Sequence, residues 1–410
     1  MYLLEPEEEF ILLCSRLELD IKRKHRLKEL LRSPLKWGDI FKMASINKVT
    51  LLIFKHLYEK DLIHLLSDTI KNELSQFYYG NLARNLILFK ELKKFLKEFE
   101  NARIPTIILK GGYLSHILYD DPGLRMMGDI DILFEQEDFY KVKMIAEKLG
   151  YSFLKSPKSK EIYEKYHFHY VFIKYDNFKI VFEFHWNLVK QSMKININPD
   201  NLWENCIEFE LFDFKAKALS YENQFLHLII HSSHDCFEHG LISLCEIAEF
   251  YKKFKDKINI PKFVDLSYKT GANKLAYYAL YQIEKLYDIK FKDNLVWQFK
   301  THPITSYFLK NCFDLKIILH GDVNNNLGII YFARLFLFIN PIDSINLFLR
   351  IIIPNEEYLI ELYQINSNKI GFRKRFKVLL LGLKLYSAII KQGFKTQKDH
   401  KINKSFQYND

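Results

Sequence analysis

Asp129-Ile130-Asp131 lies in the apolar run Gly128 to Phe134, and Glu183 lies in a second one, Lys179 to Trp186. Residues two apart in a strand project from the same face. Asp129 and Asp131 therefore point together, while Ile130 and Ile132 turn into a core. Two carboxylates held side by side, with a third brought near, form an all-oxygen set suited to magnesium and to the paired ions of phosphoryl chemistry. Such ions stand about 4 Å apart and neutralise both the attacking and the leaving oxygen. Glu183 is expected as the third ligand and as a group able to help deprotonate an acceptor hydroxyl. An isolated Asp-x-Asp reads better as a solvated strand end. The glycine pair Gly111-Gly112 upstream and the strand Glu183-Phe184-His185-Trp186 downstream favour the chemical reading.

The neighbouring residues carry double readings. Gly111 and Gly112 let a backbone approach a triphosphate, with helix N–H groups aimed at it, and also suit a plain helix start. Lys110 fits a phosphate contact or a strand cap equally. Arg125 has five fixed donors for a phosphate or carboxylate, or for an ion pair with Asp120 or Asp121. His185 shares Glu183's face and can orient that carboxylate. His227, His231 and His234 fall on one helical face, but with Asp235 and Cys236 they give no complete zinc set. A cleft-lining or core position is expected for them.

The stretch Leu109 to Phe134, LKGGYLSHILYDDPGLRMMGDIDILF, resembles the bacterial uncharacterised nucleotidyltransferase family, a branch of the DNA polymerase β-like superfamily. The family motif runs Leu-Lys-Gly, a short helix ending in Tyr, an Arg, Asp-Ile-Asp, and later Glu-x-His-Trp, supplied here by Phe182 to Trp186. The likeness continues through His227 and His231, and weakly to Pro354-Asn355-Glu356-Glu357-Tyr358. In the superfamily the glycines are followed more closely by Asp-x-Asp, whereas here a Pro122-Gly123 loop intervenes.

The resemblance implies an α+β fold, a small mixed-sheet nucleotidyltransferase core flanked by N-terminal and C-terminal helical regions. It implies transfer of an NMP from an NTP, ATP favoured, to a hydroxyl on a protein, peptide or small molecule, with pyrophosphate released. Asp129, Asp131 and Glu183 would be catalytic and hold Mg2+, two ions, with Mn2+ an alternative. Lys110, Gly111, Gly112 and Arg125 would bind nucleotide, and His231 would line the cleft. The rival expectation is a non-catalytic nucleotide- or partner-binding protein on the same fold. Clustered intact carboxylates count against it, and a role in tRNA processing ranks third.

Positioning these groups requires a series of elements. Apolar residues at three- and four-residue spacing, such as Phe10, Leu13, Leu17 and Leu86, Phe89, Leu92, Leu96, predict an all-helical region over 1–100. The core is expected over 101–217: a strand over Ile104 to Lys110, a helix from Gly111-Gly112 to Tyr119, the carboxylate strand, and a helix over Gln136 to Leu149 stopped at Gly150. His167 to Tyr175 and Phe178 to Trp186 flank Asp176-Asn177 as a hairpin. A loop of even length opposes Tyr175 to Phe178 and Tyr170 to Glu183, which sends His167 and His169 to the face away from Glu183. Cys206 to Ala216 is expected as one further strand. A helical domain is predicted over 218–392, and a basic tail without fixed structure over 393–410.

With 410 residues, 49% of them hydrophobic, the chain can bury more than one core. Its net charge of +10 comes from 60 basic and 50 acidic residues, a mixed surface rather than a nucleic-acid stripe. The aromatic residues are spread evenly without interleaved basic pairs, which excludes a base-stacking platform. Five scattered cysteines lack any Cys-x-x-Cys, consistent with a reducing cytoplasm. The acidic start Met1 to Glu9 does not read as a signal peptide. Leu327 to Pro354 is interrupted by Arg334, Pro341, Asp343 and Arg350, short of the ~20 apolar residues a membrane span needs, and reads as two buried helices.

Overall fold

Pro6 at the first helical position, with Glu5 and Glu8 in a reciprocal cap, starts α1 (Pro6–Cys14). The structure, a computed structural model, describes residues 4–59, 62–154, 167–189, 195–234, 240–299, 301 and 315–321. After α1 come α2 (Ile21–Leu31), α3 (Trp37–Ile46), α4 (Thr50–Glu59) and the 34-residue α5 (Asp68–Asn101). At 1.5 Å per residue α5 is roughly 50 Å long. Its second half buries Leu88, Phe89, Leu92, Phe95, Leu96 and Phe99, so Phe89, Leu92 and Leu96 of the stripe read from the sequence face the core while Leu86 is exposed.

The sheet follows: β1 (Thr106–Ile108), α6 (Lys110–Ile117), β2 (Ile130–Phe134), α7 (Phe139–Lys148), β3 (Ser152–Phe153), β4 (His169–Tyr175) and β5 (Lys179–His185). The strands lie in the order β1-β2-β5-β4-β3. β2 pairs with β5 in parallel, and the other pairings are antiparallel. Phe182 and Phe184 of β5 leave one face toward α5, with Phe95 at 4.5 Å and 5.4 Å between ring centroids. Phe139 of α7 covers Tyr170 at 4.1 Å on the same side. Each such fully buried ring contributes about 1.5–3 kcal/mol, so this face anchors the sheet and leaves the other for polar groups.

The remaining described elements are α8 (Asp200–Trp203), the hairpin β6 (Ile207–Leu211) and β7 (Phe214–Ala218), and the helices α9 (Tyr221–His234), α10 (Leu241–Phe254), α11 (Ile260–Thr270), α12 (Asn273–Tyr287), α13 (Leu295–Gln298) and α14 (Leu315–His320). Asn47, at the end of α3, accepts from the Leu241 N–H at 3.1 Å and donates to the Leu319 carbonyl at 2.9 Å. The N-terminal helices and the C-terminal ones are thereby tied together. No described helix is long and apolar enough to cross a membrane.

Three expectations need correction. The hairpin loop has odd length: Tyr175 opposes Lys179, Val171 opposes Glu183 and His169 opposes His185. Phe178 is part of the turn, its ring covered by the Arg84 guanidinium at 4.4 Å. That one-residue slip puts His169 on Glu183's face, the reverse of the sequence expectation. The single strand over Cys206 to Ala216 is two, turning at Phe212 and Asp213, with Phe212 at φ 58°. The carboxylate strand begins at Ile130, so Asp129 is the last residue of the preceding loop. The expected helix pair within Leu327 to Pro354, Pro354 to Tyr358 and the basic tail lie outside the described residues.

Candidate active site

The parallel β2/β5 register sets Asp131 directly opposite Glu183. Parallel partners present their side chains to the same face, so the two carboxylates stand adjacent on the polar side of the sheet. His185, two residues beyond Glu183, and His169, its partner on β4, extend the same face. Asp131 is 2% exposed and His185 1%, whereas Glu183 and Asp129 are half-buried at the rim.

Asp131 Oδ1 is the convergence point. Lys110 Nζ donates to it at 2.9 Å and His185 Nε2 lies 2.7 Å away. The same His185 nitrogen is 3.4 Å from Glu183 Oε2, and His169 Nε2 is 3.7 Å from Glu183 Oε1. Burial would raise the Asp131 pKa, but Lys110 and the His185 bond outweigh it and hold the carboxyl well below its ordinary value. At Asp129 burial, and then the charges of Asp131 and Glu183, outweigh Lys110 and His185 and push the pKa up to about 6. Burial likewise works against the Lys110 ammonium and is overcome by Asp131, which raises its pKa. His185 is raised as well, burial being outweighed by its bonds to Asp131 and Glu183. His169 is pushed down to about 3 by burial and then by His185.

Lys110 opens α6 with a strained φ of 36° and both following glycines are buried. A Cβ on Gly111 would lie 2.7 Å from Arg125 Nη1, and one on Gly112 would lie 2.8 Å from Ile108 Cγ2. Close packing by the protein itself is thus sufficient reason for glycine at both positions. Arg125 forms neither expected ion pair. Its Nε and Nη2 hold Glu246 of α10 at 2.7 Å and 3.1 Å, and Tyr119 donates to the same carboxylate at 2.9 Å. Asp121 instead accepts from the Tyr78 hydroxyl at 2.5 Å and the Gly123 N–H at 2.7 Å.

The loop that carries Asp129 is braced by α5. Asn81 and Asn85 donate to the Arg125 carbonyl, and Arg84 donates to the carbonyls of Met127 and Gly128 at 3.1 Å and 3.0 Å. These residues form a polar stripe on an otherwise amphipathic helix, a signal present in the sequence but not read as part of the site. Of the histidine row on α9, His227 is the buried one. Its pKa is pushed down to about 3 by burial and then by Lys110, with Asp131 and His185 also acting on it. His231 is half-buried, its ring 6.3 Å from that of His227, and the His234 side chain lies outside the described residues. The charges of Lys110, Asp131 and His185 thus reach His227, one turn before His231 on the same helix.

Three carboxylates share this face with two imidazoles, and burial, then Asp131 and Glu183, raise the Asp129 pKa against the opposing charges of Lys110 and His185. Carboxylate oxygens are the donors a hard divalent cation takes, while the ligand atoms that converge within 4.8 Å among the described residues are those of His169, Glu183 and His185. Residues 33–288, more than half of the chain, match the family described as "Uncharacterised nucleotidyltransferase". Among curated proteins none matches. Among solved structures, the antibiotic-resistance factor ANT(2'')-Ia is similar at 14% identity over 49% of this chain and 98% of that one, with a TM-score of 0.32. A likeness at that score carries no weight for substrate or mechanism.

Proposed function

The chain belongs to the uncharacterised nucleotidyltransferase family, an enzyme class, and from that premise we propose that it transfers an NMP from a magnesium-bound NTP to a hydroxyl acceptor. One observation carries the reading: Asp131 opposite Glu183, with the high-pKa Asp129 beside them. Asp129, Asp131 and Glu183 are the residues that would hold the metal. Bound there, magnesium supplies positive charge for the attacking and leaving oxygens of the transfer.

The protein's own groups divide the remaining work. Lys110, at the start of α6 and donating to Asp131, would give its ammonium to a phosphate oxygen of the nucleotide. The first turn of α6 offers its N–H end to the same phosphates. Glu183, at the rim and flanked by two imidazoles, is placed to accept the acceptor's proton. His185 fixes Asp131 and Glu183 relative to each other. Arg125 keeps α10 against the loop by its bond to Glu246, so nucleotide contact is assigned mainly to Lys110 and α6. ATP is the favoured donor. The acceptor is a protein, peptide or small molecule, the mixed surface charge giving nucleic acid no evident track.

Incubation with each α-labelled NTP and magnesium, with fractionated cell extract offered as acceptor, tests the proposal. Label transferred to an acceptor with release of pyrophosphate is expected. Absence of transfer with all four NTPs, alongside metal-dependent nucleotide binding, would favour the non-catalytic reading.

A further inference from the structure

The carboxylate face continues into nitrogen donors. His169, Glu183 and His185 each offer one ligand atom, and the three atoms lie within 4.8 Å of one another. The strand register enforces this: His169 and His185 are cross-strand partners, and Glu183 is two residues from His185 on the same face. Ligands on one ion, at the usual bond length near 2.1 Å, stand roughly 3–3.5 Å apart. His185 Nε2 is 3.4 Å from Glu183 Oε2 and His169 Nε2 is 3.7 Å from the other oxygen, Oε1, so the carboxylate lies between the two imidazoles.

We propose that His169, Glu183 and His185 form a mixed nitrogen–oxygen site for a borderline divalent cation of the Mn2+, Co2+ or Zn2+ kind, adjoining the all-carboxylate position. Magnesium prefers oxygen and retains water, whereas imidazole suits the later transition ions. A site with two imidazoles and one carboxylate therefore discriminates against magnesium. Glu183 belongs to both positions, so the nitrogen site would fix which ion sits beside the acceptor end. This extends the proposed function and shares its carboxylate, but it can be tested without nucleotide or turnover.

The probes are Co2+ and Mn2+ added to the full chain in the absence of NTP. Visible absorption follows Co2+, and pulsed electron paramagnetic resonance follows 14N coupling to Mn2+. The wild type is expected to show nitrogen coupling and to bind Co2+ at least tenfold more tightly than His169→Gln. Second-sphere losses alone weaken metal sites by about 10–100-fold, so a lost ligand should do no less. His169→Gln keeps a polar side chain near Glu183, and an unchanged melting curve in chelator verifies that it folds. Equal Co2+ affinity in both proteins, or Mn2+ bound without 14N coupling, overturns the site and leaves the imidazoles as hydrogen-bond partners of Glu183. Failure of nucleotidyl transfer with nitrogen coupling intact would count against the proposed function and not against this site.

Discussion

Asp131 and Glu183 are register partners across the parallel pairing of β2 with β5, the one parallel contact among the described strands of the five-stranded sheet. A slip of one residue would replace Glu183 with Phe182 or Phe184 and destroy the site and the core together. The aromatic packing of α5 against Phe182 and Phe184 therefore fixes the carboxylate geometry from the opposite face.

The contact of Lys110 with Asp131 makes the lysine a competitor for cations. Lys110→Met should raise the affinity for Mg2+ or Mn2+ in the absence of nucleotide, because Asp131 then has no ammonium to surrender. It should lower affinity for the NTP, where a charge-assisted bond contributes about 1.5–3 kcal/mol. Calorimetry with metal alone and then with ATP separates the two effects. Unchanged ATP affinity would return Lys110 to a purely structural role.

Arg125 and Glu246, 15% and 8% exposed, are a buried pair joining the loop to α10. Burial disfavours the guanidinium, yet Glu246 raises its pKa above the ordinary value. Glu246→Ala leaves that charge without its partner and should destabilise the fold by about 3–5 kcal/mol in chemical denaturation. Asp120→Asn should change stability by less than about 0.5 kcal/mol, as expected of a surface position. Equal effects would restore the ion pair expected from the sequence.

Asp129 gives the metal-free protein a pH signature. Its folded pKa, about 6, lies above the ordinary 3.8, so the fold binds that proton more tightly than the unfolded chain. The resulting stabilisation is full below about pH 4 and is lost as pH rises through 6. In chelator, Asp129→Asn should therefore be the more stable protein at pH 7, by up to about 3 kcal/mol, with the gap closing below pH 4. Magnesium should reverse the order at pH 7, because the variant lacks a ligand. Parallel stability curves for the two proteins across this range would sink the idea.

Part of the candidate site's arrangement is legible in residue order. Glu183 two before His185 follows from the two-residue period of strands, and β5 forms where expected, while β2 begins at Ile130 and leaves Asp129 in the loop before it. What was illegible depended on turns and on distant partners. One residue in the Asp176–Phe178 turn decides whether His169 joins the site, and Arg84, which covers Phe178 in that turn, lies far away in sequence. Glu246 could not be paired with Arg125 from spacing, since α10 reaches it only through tertiary packing. Gly111 and Gly112 read either as room for a phosphate or as a plain helix start, and the structure adds that a Cβ on Gly112 would press on buried Ile108 and one on Gly111 on the end of Arg125.

Glu183→Gln keeps size and an oxygen while removing the charge that binds a cation and accepts a proton. Turnover should fall by roughly a hundredfold or more, with ATP binding retained. A folded variant with full activity would mean β5 is only structural, and Asp121 would be the next carboxylate to examine.

ATP binding by calorimetry, with magnesium and in chelator, on the wild type and on Asp131→Asn, is the most direct trial of the metal-bridged nucleotide site. Tight binding is expected only for the wild type with magnesium. Asp131→Asn should lose it, because the variant removes the negative charge on which Lys110 and His185 converge and one of the two oxygens a cation could use. Equal affinity in chelator and in magnesium, or wild-type affinity in a folded Asp131→Asn protein, would contradict that site.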